Sequence, residues 1–213
     1  DFQDAVVGIY TTLRNQYQDF WIFGDLRADD SWHALGNDAF LVSVNTFSMS
    51  SSASLMINSW RNYYKMIERA NMVLSKIADA DPAVVKNKDQ HIAEAKFLRA
   101  FAYFDLVRIW GDVPLITAPI NIAEGYKTPR EKVAKIYSDL IIPDLLDAQS
   151  KLPPKYTGVN VGRATKGAAA AILGRVYLTI KDFASAESKL LEVTTMGYAL
   201  LTNYNDLFDY TKD

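Results

Sequence analysis

The stretch Ala93-Glu-Ala-Lys-Phe-Leu-Arg-Ala-Phe-Ala-Tyr-Phe-Asp-Leu-Val-Arg-Ile-Trp-Gly-Asp-Val-Pro-Leu-Ile-Thr117 leaves a folding chain few choices. At helical spacing, Phe97, Leu98, Phe101, Phe104, Leu106, Val107, Ile109 and Trp110 cover most of the circumference. A surface helix keeps one wet face, so a rod as apolar as this has to be wrapped by several neighbours. Gly111 supplies a residue that ends a helix in a left-handed conformation, and Pro114 blocks continuation. Arg99 and Asp105 lie inside the rod. They must be partnered or lie along its one wet edge, because an unpaired buried charge is costly.

The chain has 213 residues, of which 49% are hydrophobic and 23% charged, the balance of a globular protein. Its formal net charge of −2 offers no basic excess to neutralise a phosphate backbone, which argues against nucleic-acid binding. Cysteine is absent, so a disulfide framework and a thiolate metal site are excluded, and no cofactor is implied. No apolar run approaches the roughly 20 residues of a membrane span, and no signal peptide is visible. Asp1 opens directly onto an apparent helix, and the chain reads as a piece of a longer protein. The 12 Tyr, 10 Phe and 4 Trp suit either a large core or a surface on which sugars stack.

Residues 1–17 read as a helix from Val6, Ile9, Tyr10, Leu13 and Tyr17. Residues 18–56 change character. Gly, Ser, Asp and Asn accumulate among scattered aromatics, and Ser48–Ser54 reads as a loop or helix entrance. The helical period returns with Ile57, Trp60, Tyr64, Ile67, Ala70, Leu74 and Ile77, and Asp81-Pro82 closes that element. A second long helix, from about Asp89 to Trp110, completes an antiparallel hairpin. After a loop over 111–127, Thr128-Pro-Arg-Glu131 reads as a capping box with Pro129 at the first helical position. Pro143 then falls inside the following helical pattern, where a kink is expected.

The last hairpin is the clearest. Thr165 caps a helix to about Ile180, and Asp182 caps another that ends before Gly197. Leu173, Gly174, Tyr177, Phe183 and Ala186 match the tetratricopeptide pattern. Gly174 and Ala186 are small where two helices cross closely; Tyr177 and Phe183 are expected to fill the groove beside them. Ala170, Leu190 and Tyr198 depart from the pattern. No segment reads as a strand, so the expected fold is nearly all α.

The block Ala93–Thr117, followed by Arg163-Ala-Thr-Lys-Gly-Ala-Ala-Ala-Ala-Ile-Leu-Gly-Arg-Val-Tyr-Leu178, closely resembles the SusD/RagB family. Arg69-Ala-Asn71, and Asp144-Leu-Leu-Asp-Ala148 with Leu152-Pro153, support the resemblance. Their order fits the N-terminal half of that family, whose members are considerably longer. Residues 1–213 are therefore expected to form a single helical region, with leader, lipidated cysteine and C-terminal half lying outside it. The resemblance implies four tetratricopeptide-like helix pairs in a right-handed superhelix with long loops. It implies a surface-exposed, lipid-anchored outer-membrane protein without catalysis. Such a protein captures a glycan or other nutrient for a SusC-like TonB-dependent transporter. A peptide-binding adaptor of the tetratricopeptide class is the alternative, since stacked helix pairs offer concave grooves. An enzyme is the third reading, but no nucleophile motif, metal spacing or phosphate loop is present.

The most polar and aromatic loop is Asp25-Leu-Arg27-Ala-Asp29-Asp30-Ser-Trp32-His33, continuing to Asn37-Asp38. A pyranose needs a flat aromatic face for its apolar side and planar donors and acceptors for its hydroxyls. Trp32 with Arg27, Asp30 and Asn37 has that chemistry. The competing reading, favoured by how often large aromatics are buried, packs Trp32 beneath its own loop and leaves the acids to cap turns or helices. The acids also offer oxygen ligands of the kind calcium takes, but their spacing does not match an EF-hand, and no metal site is assigned. His33 and His91 are far apart and lack metal-ligand spacing. Asp29 and Asp30 are adjacent, so their side chains diverge and make a poor acid/base pair.

Overall fold

The computed structural model describes residues 1–28, 31–32 and 38–209. From the N-terminus the chain forms α1 (Phe2–Arg14), α2 (Tyr17–Gly24), α3 (Ala39–Asn45), α4 (Ser54–Ala78) and α5 (Lys88–Trp110). Then come β1 (Val113–Pro114), α6 (Ile122–Lys127), β2 (Arg130–Glu131), α7 (Val133–Ile136), α8 (Ile142–Lys151), α9 (Lys166–Thr179) and α10 (Phe183–Thr194). The architecture is all-α with tetratricopeptide-like packing. Its helices stack in chain order: α1 on α4, α4 on α5, α5 on α8, α8 on α9 and α9 on α10.

α5 is the rod the sequence demands. From His91 to Trp110 only Arg108 is exposed. Leu98, Tyr103, Phe104 and Leu106 meet Ile9 of α1, Met66 and Ile67 of α4, Leu145 of α8 and Leu173 of α9 in one continuous core. Each such side chain is worth roughly 1.5–3 kcal/mol when fully buried. Gly111 takes φ 71° and ends the helix.

The charges inside the rod are partnered. Arg99 donates to Asp144 of α8 through Nε (2.8 Å) and Nη2 (3.0 Å), a bidentate fork. Its Nη1 donates to Asn71 Oδ1 of α4 at 2.7 Å and to the Thr117 carbonyl at 3.2 Å. Asn71 Nδ2 in turn donates to the Ile116 carbonyl at 2.9 Å. The Tyr103 hydroxyl accepts from the Ile116 N–H at 2.7 Å, and the Tyr64 hydroxyl donates to the Pro114 carbonyl at 2.7 Å. Three helices and the 113–118 segment thus meet on one guanidinium. Burial pushes the Asp144 carboxyl above its ordinary range, and the bond to Arg99 opposes that push. A second buried pair fastens the loop before α9: fully buried Glu94 faces Arg163 at 3.2 Å, and the Tyr10 hydroxyl accepts from the Ala164 N–H at 2.9 Å.

Several local expectations give way to longer-range contacts. The proposed capping box at Thr128–Glu131 does not form. Arg130 and Glu131 pair with Pro114 and Val113 as a two-residue antiparallel ladder instead. The next helix starts at Val133, whose N–H donates to Asp112 Oδ1 at 3.0 Å, so the cap comes from a residue beyond α5. A capping box does form one element earlier, between Asn121 and Glu124 of α6. Ahead of Pro143 the backbone widens into a π-helical turn over Tyr137–Ile141. That turn accommodates the donor a proline lacks. Residues 18–56, which show no helical period in the sequence, contain most of α2 and all of α3. Thr165 and Asp182 cap α9 and α10 through the Ala168 N–H (3.2 Å) and the Ser185 N–H (3.2 Å).

In the last hairpin Leu173 and Ala186 are buried, and a Cβ on Gly174 would stand 2.7 Å from Leu190 Cδ2. The contact that needs the glycine is therefore Leu190 of α10. Tyr177 packs against the core, but Phe183 is 63% exposed and fills no groove.

Asp144→Asn is expected to cost about 3–5 kcal/mol in denaturant unfolding, since it leaves Arg99 buried without its counter-charge. The double change Arg99→Met with Asp144→Leu recovers most of that loss. Gly174→Val is expected to lower stability by about 1–3 kcal/mol in the same assay, by forcing α10 away from α9.

Candidate functional site: an aromatic cleft at the end of α5

α2 is a run of aromatics, Tyr17-Gln-Asp-Phe-Trp-Ile-Phe-Gly24, too short to show a convincing helical period. It is held from outside. Phe20 meets Phe101 edge-on at 5.8 Å, Phe23 meets Trp110 edge-on at 6.0 Å, and Ser59 of α4 donates to Asp19. Ile22, Leu26 and Val44 form a small second core that joins α2 to α3. Asn45, at the end of α3, donates through Nδ2 to the carbonyls of Leu26 (2.9 Å) and Ser31 (3.1 Å). The segment carrying Arg27 and Trp32 is thereby tied to α3.

α3 ends in an unusual way. The Phe47 N–H bonds the Val44 carbonyl at 3.2 Å, and the Ser48 N–H bonds the Ser43 carbonyl at 2.9 Å. This is the closing pattern in which a glycine normally takes the left-handed position. Here that position is Phe47, with φ 55° and 65% of its surface exposed. A left-handed residue with a Cβ costs roughly 1–2 kcal/mol. A bulky ring kept there, in water, is a feature of the kind found at ligand-binding positions.

The Arg27 guanidinium lies over that ring, 5.2 Å from its centroid. The two line a cleft of about 300 Å³ with Phe20, Phe23, Tyr63, Asp105 and Arg108. Asp105 accepts from the Tyr63 hydroxyl at 3.0 Å and is paired with Arg108. Burial pushes the Asp105 carboxyl up, and the Arg108 charge beside it opposes this. Among the described residues the Arg27 side chain makes no ion pair or hydrogen bond; it rests on the Phe47 ring at the cleft. The cleft therefore offers a flat apolar face, a planar fork of donors and a fixed acid–base edge. It lacks the pair of facing carboxyls that glycoside hydrolysis uses, because among its described lining residues Asp105 is the one carboxylate and is already committed.

Of the residues singled out from sequence, Arg27 lines this cleft. Trp32 is 71% exposed, which overturns the expectation that it packs beneath its own loop. Asp30 and Asn37 lie outside the described residues, as do Asp29 and His33. Asp38 caps α3 through the Phe40 N–H at 3.0 Å. Phe47, Asp105 and Arg108 were not legible as site residues; the positive φ that singles out Phe47 appears only in three dimensions. His91 is buried, and its pKa is pushed below the ordinary histidine value by that burial. Among the described residues no group of three His, Cys, Asp or Glu side chains is placed to hold a metal ion, and no helix is long and apolar enough to cross a membrane.

A SusD-like family model, described as "Starch-binding associating with outer membrane", matches residues 3–178. SusD-like protein P25 of Formosa agariphila is 27% identical over 98% of this chain and 42% of its own length. A SusD-like protein of Bacteroides ovatus is 30% identical over 88% of this chain and 35% of its own. Among solved structures, a laminarin-binding SusD-like protein superposes with a TM-score of 0.87 at 27% identity, covering 99% of this chain and 49% of the other. Surface glycan-binding protein A from Bacteroides fluxus gives 0.85 at 25% identity, over 99% and 47%. The chain thus spans half or less of the length of these relatives. The family match across most of the chain, together with the shared all-α fold, shows that this protein belongs to the SusD-like family.

Proposed function

We propose that this chain is part of a non-catalytic glycan-binding protein of the outer membrane. Its cleft at Arg27 and Phe47 contacts saccharide. The observation that carries this reading is an exposed aromatic held in a left-handed backbone position beneath an unengaged guanidinium. Phe47 offers its ring to the C–H face of a pyranose, and Arg27 offers parallel N–H donors to neighbouring hydroxyls. Trp32, exposed on the segment that Asn45 tethers, extends the aromatic surface, and Asp30 and Asn37 are proposed to add polar contacts. Similarity to a laminarin-binding SusD-like protein favours a glucan as the first ligand to try.

The full protein is further proposed to be surface-exposed and lipid-anchored. It would hand its glycan to a SusC-like TonB-dependent transporter, with this helical stack as the scaffold of a lid. The family description, "Starch-binding associating with outer membrane", supports the compartment. The adaptor reading has less support, because the similar solved structures include a laminarin-binding SusD-like protein and a surface glycan-binding protein.

Titration calorimetry with laminarin oligosaccharides tests the site. Arg27→Ala and Phe47→Ala are each expected to weaken binding about 5–30-fold, the loss of one charge-assisted hydrogen bond or one stacked ring. Trp32→Ala is expected to weaken it with the fold intact. Phe47→Gly is expected to weaken binding without lowering the melting temperature, because glycine relieves the left-handed strain. Unchanged affinity in the Arg27 and Phe47 variants removes the cleft from the site.

A further inference from the structure

A second hollow runs along Trp60 and Tyr64 of α4, between that helix and α6. It encloses about 580 Å³, with Trp60, Tyr64, Pro114 and Ile116 as its floor and Ile122 and Tyr126 as its far wall. Tyr126 is 89% exposed and Ile122 80% exposed. A smaller hollow of about 270 Å³ shares Trp60 and Arg61 and continues past Trp110 to Arg130. The rings of Trp60, Tyr64 and Trp110 are fixed against one another, at 4.9 Å for Trp60 with Tyr64 and 5.4 Å for Trp60 with Trp110. The Tyr64 hydroxyl is tied to the Pro114 carbonyl, so the floor is rigid before anything binds.

The rim is cationic. Arg61 and Lys65 stand four residues apart on the exposed edge of α4, and Arg130 lies over the Trp60 ring at 5.6 Å. Glu68 is the acid on the same edge of the larger hollow. Like charges at this helical spacing disfavour the helix slightly. Neither Arg61 nor Lys65 has a side-chain hydrogen bond or ion pair among the described residues. The chain thus places two unengaged cations beside a preformed aromatic floor, an arrangement that an anionic ligand would complete.

We propose that this groove is a second saccharide subsite, selective for sugar units that carry an anionic group, a carboxylate or a sulfate. The sugar ring packs on the exposed Tyr126 ring above the Trp60 floor, and its anionic group meets Arg61 and Lys65. This inference rests on the glycan reading of the protein but uses none of the Arg27 cleft.

The test titrates the purified protein with three probes: oligogalacturonate, a sulfated carrageenan oligosaccharide and neutral laminarin oligosaccharide. The variants are Arg61→Gln with Lys65→Gln, Tyr126→Ala, and Arg27→Ala as the comparison; all change solvent-accessible or cleft-lining side chains. At least one anionic probe is expected to bind, more weakly as salt is raised. The double variant is expected to weaken that binding at least about tenfold, as the loss of two charge-assisted contacts implies, and to leave neutral binding unchanged. Tyr126→Ala is expected to weaken anionic binding too, whereas Arg27→Ala is expected to weaken neutral binding. The probe that binds separates carboxylate from sulfate. Failure of both anionic probes to bind overturns the proposal, as does anionic binding that survives the double variant. Equal affinity for a single-stranded DNA oligonucleotide overturns it as well, since charge without sugar recognition would then explain the groove. Neutral binding lost in Arg27→Ala, together with no anionic binding, sinks this inference alone; no binding of any saccharide sinks the glycan reading as well.

Discussion

A guanidinium sits buried among three helices. Arg99 belongs to a helix that is buried all round, and burying its charge is tolerable only because every face of the fork is met: Asp144 from α8, Asn71 from α4 and the Thr117 carbonyl. Buried ion pairs are weak evidence of net stability, since desolvation offsets most of the attraction. Their value here is positional. An apolar helix can slide or rotate against apolar neighbours at small cost. One bidentate bond, one amide bond and one carbonyl bond radiating from a single side chain fix the register of three helices at once. They also fix the 113–118 segment, because Asn71 and Tyr103 hold its backbone. That segment carries the strand that displaces Glu131 from a cap and forms part of the floor of the groove beside α6.

The proposed binding surfaces are built differently from this core. The cleft at Arg27 is roofed by two short helices with a core of their own, Ile22, Leu26 and Val44, joined to α5 by the edge-on contacts of Phe20 and Phe23. Small satellite cores open more readily than the body they rest on. The division fits the proposed function: the stack is a rigid platform, and the adaptable part is the aromatic cap proposed to meet the ligand. Phe47 shows the same economy at the scale of one residue: local backbone comfort is given up to hold a ring in water.

Much of the platform was readable in the linear sequence. The period of residues 57–77 and 89–110, the stop at Gly111 and the caps at Thr165 and Asp182 are local signals, and each appears in the structure. Arg99 was recognisable as a charge needing a partner, but Asp144 lies 45 positions away and could not be named as that partner. The blocks that carry the family resemblance contain Arg69, Asn71, Arg99, Asp144 and Arg163, the polar residues that fasten helix to helix. What failed was local chemistry overruled from a distance. Thr128–Glu131 is a sound capping box on paper, yet strand pairing and the Asp112 carboxylate take its place. α2 was invisible because eight residues dominated by aromatics carry no clear period, and its helix is held by partners on α4 and α5. The cleft was legible only through Arg27; its other members come from α2, α4, α5 and the turn after α3, which no sequence spacing brings together.

In the proposed function the helical stack is a fixed support and the aromatic cap is the part that responds to ligand. Amide hydrogen exchange, with and without a laminarin oligosaccharide, measures both properties in one experiment. Amides in the middle of α5 are expected to exchange at the slowest, global rate in either state, with added protection on binding confined to α2, α3, the turn at Phe47 and the α5 turn around Asp105. Fast local exchange in α5, or ligand protection spread over the stack with none at the cap, would contradict this division of roles.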